Sequence, residues 1–369
     1  MKLQILQENL SRALINVSRF TSAHAQLPVL GNIMLATKKT KLQVSATNLE
    51  ISILVSVGAK IEEEGKITTP AKVISEVVSN LDSGLINLES QKEELKVKTQ
   101  KTNLTISGMN PSDFPTVTES INTKTSISIP RQNLLDALGT VNFATSIDET
   151  RPQLTGVLFL FEKNTLTLVA TDGFRLSQNK IKLSENKKLF DKVILPKSVL
   201  SEVSRLSLDD SDIVLNFNQD ENQAVFGFTD TILSSRVIEG DFPDFTKIIP
   251  KDKNVTVFVD REDILRAVKL AATFARDSAN VVKMAIGKDV IEISAESSAA
   301  GSQKTKIEAK VEGVPLEIAF NYRFLEDFIN AVSGPEISIE LSNASSPGVF
   351  RDPKNTNFLH LIMPVRIQE

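Results

Sequence analysis

The sequence contains an internal repeat with a period of about 125 residues, and this period limits the possible folds more than any other feature. Three segments that share one local pattern mark the repeat: Glu8–Leu14, Gln132–Leu138 and Glu262–Val268, offset by 124 and 130 residues. The period is far longer than the ~20–50 residues of solenoid and propeller repeats. Each unit therefore needs a hydrophobic core of its own, and we expect three similar domains.

Each of the three segments begins an amphipathic helix. In the first, Leu10, Ala13, Leu14 and Val17 recur at the spacing of a helix that buries one face. In the third, Asp260 lies two residues before the segment and is the predicted N-cap, because its carboxylate can accept an unpaired N–H of the first turn.

A strand follows each helix at nearly the same offset. The three strand segments alternate apolar and polar residues, the period-2 pattern of a half-buried strand; they are Leu42–Asn48, Leu166–Asp172 and Ile291–Ser297. A second helix then begins near Pro70, Pro196 and Asn321, and proline is tolerated at a helix start because its missing N–H would be unpaired there.

Short motifs close the three units: Asp113–Pro115, Asp241–Pro243 and Met363–Arg366. Because all four landmarks recur in the same order, we predict an α+β fold of three tandem domains, each with two helices and antiparallel sheets. The predicted boundaries are 1–121, 122–252 and 253–369. Head-to-tail contacts between like units close into a ring when the rotation allows it, so two chains are expected to give a ring of six domains.

Composition excludes several classes of function. The 369 residues include no cysteine and two histidines, which rules out disulfides, thiolate nucleophiles, iron–sulfur clusters and cysteine-ligated zinc, and no cofactor or metal is expected. With 42 basic and 46 acidic side chains the net charge is −4, which by itself does not indicate a nucleic-acid partner. No apolar run reaches the ~18–20 residues of a membrane span, and the first residues lack a signal-peptide core, so a cytoplasmic protein is expected.

No enzyme motif is present. The sequence has neither a phosphate-cradling Gly-x-x-x-x-Gly-Lys-Ser/Thr segment nor a dinucleotide fingerprint. A Ser–His–Asp triad would have to use His24 or His360. His360 alternates with apolar neighbours, so we expect a hydrogen-bonded structural side chain there. A hydrolase built on paired carboxylates stays a remote alternative, and we predict that the chain is not an enzyme.

Several segments resemble the signatures of the bacterial DNA polymerase III β subunit, the replicative sliding clamp. They are Leu27–Ile33, Asp148–Pro152, Ala170–Leu176, Gly240–Phe245 and Met363–Arg366. The resemblance runs along the whole chain in order and with matching spacing. It implies three copies of the DNA-clamp fold in each chain, a homodimeric ring that encircles duplex DNA without sequence specificity, and tethering of the polymerase to that DNA. A ring that binds peptides but not DNA is the alternative.

The resemblance also implies DNA contacts from helix faces and nearby loops. A clamp has to hold DNA loosely, so its contacts should be basic side chains near phosphates, which carry no base information. The candidates are Arg12, Arg19, His24, Lys72, Arg151, Lys197, Arg205, Arg266 and Lys269. Relatives often have arginine at the position of His24, and a histidine is mostly neutral at pH 7.

The family has a hydrophobic groove that captures short linear peptides from polymerases, the clamp loader and repair proteins. Carried over by motif, its residues are Leu154, Thr171, Gly173, Phe174, Arg175, Leu176, Pro243, Ile248, Phe324, Ser346, Leu361, Met363, Pro364, Val365 and Arg366. Many relatives have histidine at the position of Phe174. From sequence physics alone, Asp172-Gly173 is equally consistent with a simple turn between strands.

The dimer contact implied by the resemblance joins the last strand region of domain 1 to the first helix of domain 3. The matching positions are Leu104 on one side and Thr273 with Phe274 on the other. Many relatives have an aliphatic residue where this chain has Thr273, so the contact is expected to be more polar.

Overall fold

The computed structural model describes residues 1–22, 26–183, 190–206 and 211–366. Within these ranges six α-helices form, two in each predicted domain. They are α1 (Gln7–Ser18), α2 (Ala71–Ser79), α3 (Arg131–Val141), α4 (Lys197–Leu206), α5 (Arg261–Ala275) and α6 (Tyr322–Ala331).

The remaining regular structure is antiparallel sheet. Its strands are β1 (Lys2–Leu6), β2 (Asn32–Lys38), β3 (Lys41–Thr47), β4 (Ile51–Gly58), β5 (Lys60–Glu63), β6 (Lys66–Pro70), β7 (Leu85–Gln91), β8 (Glu94–Lys98), β9 (Asn103–Ser107), β10 (Ser126–Ile129), β11 (Gly156–Glu162), β12 (Thr165–Thr171), β13 (Arg175–Lys182), β14 (Lys192–Pro196), β15 (Ile213–Asn218), β16 (Gln223–Gly227), β17 (Thr231–Arg236), β18 (Val255–Asp260), β19 (Val281–Ile286), β20 (Val290–Ser297), β21 (Gly301–Gly313), β22 (Leu316–Asn321), β23 (Glu336–Leu341), β24 (Gly348–Asp352) and β25 (Asn355–Ile362).

The helix starts follow the sequence signals. The Asp260 carboxylate accepts the N–H groups of Glu262 at 2.8 Å and Asp263 at 3.0 Å, so the predicted N-cap of α5 is confirmed. The Asn321 side chain caps α6 in the same way. Each cap satisfies backbone donors that the first helical turn leaves unpaired.

The chain divides into two compact units, and the first comprises Met1–Arg131 and Ser201–Val237. It contains a five-stranded sheet in the order β5-β1-β7-β8-β9 and an eight-stranded sheet in the order β10-β15-β16-β17-β4-β3-β2-β6. Helix α1 packs on α2 and on strands β3 and β4. Its predicted apolar face is buried, with Leu10 and Leu14 fully inaccessible.

The second unit comprises Gln132–Leu200 and Ile238–Glu369. Its twelve strands run in the order β14-β11-β12-β13-β25-β24-β23-β18-β21-β20-β19-β22. Helix α5 packs on β20, β21 and α6. The core beneath these helices centres on Phe328, whose ring lies 5.5 Å from that of Phe350 and 5.7 Å from that of Phe358.

Each unit contains one strand pair that joins two predicted domains. In the first unit β4 pairs with β17, with Ile51 opposite Ser235. In the second unit β13 pairs with β25, with Arg175 opposite Ile362. Sheets therefore continue across the repeat, which is why the compact units do not coincide with it. The domain boundaries after residues 121 and 252 stay a prediction.

Candidate functional site

The turn between β12 and β13 is fixed by its own side chains. The Asp172 carboxylate accepts the N–H groups of Phe174 at 2.8 Å and Arg175 at 3.0 Å. The Thr171 hydroxyl donates to the carbonyl of Arg175 at 2.6 Å and accepts from the N–H of Gly173 at 3.1 Å. Gly173 has a φ of +94°, a conformation that glycine adopts without steric cost. Asp172-Gly173 is thus a turn, and it leaves the Phe174 side chain 63% exposed.

Arg175 holds this turn against the rest of the second unit. Its guanidinium pairs with Asp172 at 3.0 Å and with Asp327 of α6, and it donates to the carbonyl of Phe143 at 2.9 Å. It also lies over the ring of Phe324, 4.5 Å from the centroid. Such a guanidinium is restrained in every direction, because its planar fork is matched by acceptors at its edge and by an aromatic ring on its face. The predicted groove residues Arg175 and Phe324 are therefore in direct contact.

The chain end runs beside the same turn. Strand β25 places Leu361 opposite Leu176. Beyond the strand, the N–H of Met363 donates to the carbonyl of Phe174 at 2.8 Å, and the N–H of Val365 donates to the carbonyl of Ala319 at 2.8 Å. The Met363 side chain is 40% exposed, so Phe174 and Met363 form an adjacent pair of accessible large apolar side chains.

An apolar cluster adjoins this pair along the chain, because its members Leu176 and Leu361 lie two residues from Phe174 and Met363. Its buried members, contributed by strands β11 to β14, β24 and β25, are Leu158, Val169, Leu176, Ile194, Val349, Leu359 and Leu361. Side chains near the end of the second predicted domain pack on it while staying partly exposed: Ile238, Phe242, Phe245 and Ile249. The arrangement gives a surface with an apolar floor and half-open apolar walls, which suits an apolar ligand more than a charged one.

The other predicted groove residues take the following positions. Leu154 is buried at the end of the 3₁₀ helix Pro152–Leu154, whose neighbour Gln153 approaches Gly240. Pro243 and Ile248 are exposed in the segment that carries Phe242 and Phe245. These positions lie near the same floor.

Three further members lie at the chain end or near it. Ser346 lies two residues before Gly348, which pairs with Ile362. Pro364 is half-buried and Arg366 is exposed. The binding role of the whole set stays a prediction.

Sequence reasoning missed three residues that shape this site. Asp172 lies within the family-like segment Ala170–Leu176, but the pattern alone does not predict its hydrogen bonds to the turn. Asp327 and Phe143 carried no signal, because they meet Arg175 only through the packing of α6 and of the 3₁₀ helix Asn142–Ala144.

Arg151, predicted to contact DNA, lies close to the groove turn. A side chain at Gly173 would meet its guanidinium at 3.3 Å. Arg151 also pairs with Asp148 at 3.0 Å. Hydrogen bonds from the hydroxyl and N–H of Thr150 and from Arg151 hold the pKa of Asp148 below its usual value. The structure thus gives Arg151 an acidic partner that any phosphate has to compete with.

Of the remaining candidates for DNA contact, all that fall within the described ranges are exposed: Arg12, Arg19, Lys72, Lys197, Arg205, Arg266 and Lys269. His24 lies outside the described residues. Arg19 and Arg205 meet on one carboxylate, that of Glu202, at 3.1 and 2.8 Å, and Arg266 pairs with Asp263 at 2.6 Å. The pair of Arg266 with Asp263 is exposed on both sides, and exposed pairs of this kind are weak and exchange readily with other anions. Their role at DNA stays a prediction.

The predicted dimer residues lie at the edges of their elements. Leu104 is half-buried on β9, the last strand of the five-stranded sheet. Thr273 is exposed and Phe274 half-buried in the last turn of α5. Their contact across a dimer stays a prediction.

Comparison with known sequences identifies the family. Three domain families match in order: the N-terminal domain of the DNA polymerase III beta subunit over residues 1–118, its central domain over 128–244 and its C-terminal domain over 246–366. The chain belongs to the bacterial β sliding clamp family.

Individual members of the family are similar along their full length. The beta sliding clamp of Synechococcus elongatus is 29% identical over 375 residues, with 100% of both chains covered. That of Staphylococcus aureus is 28% identical over 360 residues, with 94% of each covered. The crystal structure of the DNA polymerase sliding clamp from Bacillus subtilis has a TM-score of 0.94 at 28% identity and covers 100% of both chains.

Family membership confirms the predicted three-domain α+β clamp fold. It also confirms the prediction of a non-enzymatic DNA polymerase processivity factor. In the described ranges no group of three or more acidic or histidine side chains is placed to hold a metal ion. None of the helices in those ranges combines the length and apolar character needed to cross a membrane.

His360 lies behind the groove turn of this clamp and is completely buried. Its Nδ1 is 2.7 Å from the hydroxyl of Ser177, and its ring stacks on Phe328 at 5.4 Å. The expectation of a hydrogen-bonded structural histidine holds for Nδ1 only, because Nε2 has no partner among the described residues. Burial, with a smaller contribution from the charge of Arg175, lowers the pKa of His360 to about 3.

The low pKa of His360 predicts a loss of stability in acid. Unfolding exposes the imidazole and returns its pKa to about 6.5, so between pH 6.5 and 3 the unfolded chain binds a proton that the folded chain does not. The free energy of unfolding should therefore fall by up to about 1.4 kcal/mol per pH unit as pH decreases through this window. Urea unfolding of the wild type and of His360→Asn at several pH values measures the slope, which should be shallower in the variant by about one proton. Equal slopes would show that His360 does not titrate in this way.

Proposed function

We propose that two copies of this chain form a closed head-to-tail ring around duplex DNA and tether the replicative polymerase through the groove at Phe174 and Met363. The observation that carries the proposal is the ordered match of all three β-subunit domains over residues 1–366. The accessible apolar pair above a preformed apolar floor supports the groove. A cytoplasmic location is part of the proposal, because that is where a bacterial chromosome is replicated.

Ring closure is supported by two strand edges that have no partner within the part of the chain that the structure describes. In each domain a further strand follows the alternating strand. That further strand pairs with the last strand of the next domain, as β4 pairs with β17 and β13 pairs with β25. The same rule assigns a partner to β21 in the third domain and to β9 in the first. In the described residues β9 pairs with β8 alone, and residues 301–308 of β21 pair with β20 alone. An unpaired edge is a template for another chain, so β9 of one copy is proposed to pair with β21 of the next.

The hydrogen-bond register of β9 shows which groups face outward. The N–H of Thr99 bonds to Thr102 and that of Gly108 bonds to Glu93. Antiparallel pairs alternate between bonded and non-bonded, so Leu104 and Ile106 bond to β8 while Thr105 directs its N–H and C=O to the open edge. Leu104 at this edge and Thr273 with Phe274 at the end of α5 are the proposed side-chain contacts of the dimer.

DNA retention is proposed to rest on linkage and not on affinity. The basic candidates are exposed and in part paired with acids, so each adds a weak, sequence-independent attraction to phosphate. A net charge of −4 does not oppose this role, because the location of the 42 basic side chains matters more than their sum. Short linear peptides of the polymerase, the clamp loader and repair proteins are the proposed groove ligands.

The test compares two DNA topologies. The full-length chain, assembled on nicked circular DNA by its clamp loader, should stay bound through gel filtration, and it should be lost once the circle is cut to a linear form. Thr105→Pro serves as the ring-opening variant, because proline removes the outward N–H of the edge and spares the bonds to β8. It should fold normally and fail to stay on the circle. Equal retention on circular and linear DNA would overturn the topological mechanism and favour a ring that acts as a peptide scaffold.

A further inference from the structure

The hydrogen-bonded turn of the peptide groove occurs a second time, in the first unit, at residues 47–51. There the Thr47 hydroxyl accepts the N–H of Leu49 at 3.0 Å and donates to the carbonyl of Ile51 at 3.2 Å. The Asn48 side chain accepts the N–H groups of Glu50 at 3.0 Å and Ile51 at 2.8 Å. These are the bonds that Thr171 and Asp172 make in the groove, atom for atom.

The neighbouring chain also runs the same way. The N–H of Arg236 donates to the carbonyl of Glu50 at 2.9 Å, as the N–H of Met363 donates to the carbonyl of Phe174 at 2.8 Å. Pro115 follows Asp113-Phe114 as Pro243 follows Asp241-Phe242. The backbone of the groove is therefore duplicated, with Glu50 and Arg236 in the places of Phe174 and Met363.

A cavity of ≈ 490 Å³ opens beside the duplicated turn. The side chains at its wall that the proposal uses are Leu49, Glu50, Glu221 and Arg236. Its volume lies within the range of small-ligand sites, about 300–1,000 Å³. The cavity is formed by the first unit alone.

The chemistry of this cavity differs from that of the apolar groove. The carboxylates of Glu50 and Glu221 and the guanidinium of Arg236 are exposed, and none has an ion-pair partner in the described part of the chain. Hydroxyls of Thr116 and Thr118 add further polar groups to the wall. Two free carboxylates favour a cationic side chain, and the guanidinium favours a carbonyl or carboxylate of the same ligand.

Leu49 is the apolar element of the rim, and its backbone is strained. It has a φ of 75°, in the left-handed region that is unfavourable for a residue with a Cβ, where the groove has Gly173. Its side chain is 50% exposed, so about half of it is available to a ligand. Residues held in such sparsely populated conformations cluster at ligand-binding positions.

We propose that this cavity is a second peptide site, which binds an extended segment carrying a basic side chain next to an aliphatic one. The basic side chain lies between Glu50 and Glu221, the aliphatic one packs on Leu49, and Arg236 binds the peptide backbone. Taking a peptide as the occupant rests on the proposed function of the groove, whose turn and chain path are the same. The two sites differ in selectivity, since one is apolar and the other is acidic with one cation.

The test measures fluorescence anisotropy of two labelled hexapeptides on the full-length chain. One carries an arginine followed by two leucines, and the other has glutamate in place of the arginine. All measurements use a chain that carries Phe174→Ala/Met363→Ala, so that peptide binding at the groove does not contribute to the signal. The arginine peptide should bind at least about 10-fold more tightly, and Glu50→Gln/Glu221→Gln should remove this preference. Absence of a preference, or a preference that survives the double glutamine change, would overturn the proposal.

Leu49→Asn separates a binding role from a structural one. Asparagine tolerates the left-handed conformation better than leucine, so the urea midpoint should stay the same or rise. Affinity for the arginine peptide should nevertheless fall about 5- to 10-fold, because the aliphatic contact is lost. Unchanged affinity would exclude Leu49 from the site. Failure here leaves the groove assignment intact, because that assignment is tested by groove peptides in the wild-type background.

Discussion

Replacing Phe174 and Met363 together by alanine is expected to weaken the binding of groove peptides about 100- to 1,000-fold and to leave the fold unchanged. Truncation of a central interface anchor typically costs 2 kcal/mol or more, about 30-fold in affinity. Both side chains are accessible, and the hydrogen bond between their segments joins the N–H of Met363 to the carbonyl of Phe174, so it does not depend on either side chain. Neither change opens a cavity in the core below.

The measurement is a titration of a labelled peptide from the polymerase or the clamp loader against wild type and variant. Val314→Ala is the matched control, because Val314 is 62% exposed in the same unit and lies outside the groove set. It should bind like wild type. If the double variant kept wild-type affinity at an unchanged urea midpoint, the groove would have to lie elsewhere on the chain.

Replacing Arg175 by alanine is expected to lower the free energy of unfolding by about 3–5 kcal/mol, the usual cost of breaking a buried ion pair by removing one partner. The Arg175 side chain is 10% exposed, and its loss leaves Asp172, Asp327 and the carbonyl of Phe143 without their shared donor. Arg175→Lys should recover only part of the loss, because one ammonium cannot serve three acceptors in the geometry of the guanidinium fork.

The chain provides an exposed counterpart for this experiment. Arg151 also pairs with an aspartate three residues earlier, Asp148, but its side chain is 44% exposed. Arg151→Ala should change the free energy of unfolding by less than about 1 kcal/mol. Urea unfolding followed by far-ultraviolet circular dichroism measures both. Similar decreases in the free energy of unfolding of the two variants would mean that burial does not determine how much the Arg175 ion pairs stabilise the fold.

Much of the fold was predictable because the same order of helix and strand signals occurs three times along the chain. The helices near Leu10, Leu134 and Ile264 lie where the apolar spacing predicts them, and Asp260 caps α5 through its own carboxylate. These features depend on residues within a few positions of one another. Local spacing and local hydrogen bonds are therefore enough to fix them.

The candidate site was predictable only in part. The motifs located Phe174, Arg175 and Met363, since each lies in a segment that resembles the family. The partners that hold Arg175 are Asp327, 152 residues away, and the carbonyl of Phe143. No sequence pattern connects such positions, because their contact depends on how α6 and the 3₁₀ helix Asn142–Ala144 pack.

The sequence by itself determined the three-unit organisation, the helices and alternating strands, and the family, since these are set by periodicity and local motifs. The tertiary structure alone decided which strands join the units, how the chain end binds the carbonyl of Phe174, and that the groove turn has a polar duplicate at Glu50 and Arg236. The physical reason is that strand pairing and burial bring together groups more than 100 residues apart along the chain. Contacts between such groups depend on the packing of the core, and they produce no periodic pattern in the sequence.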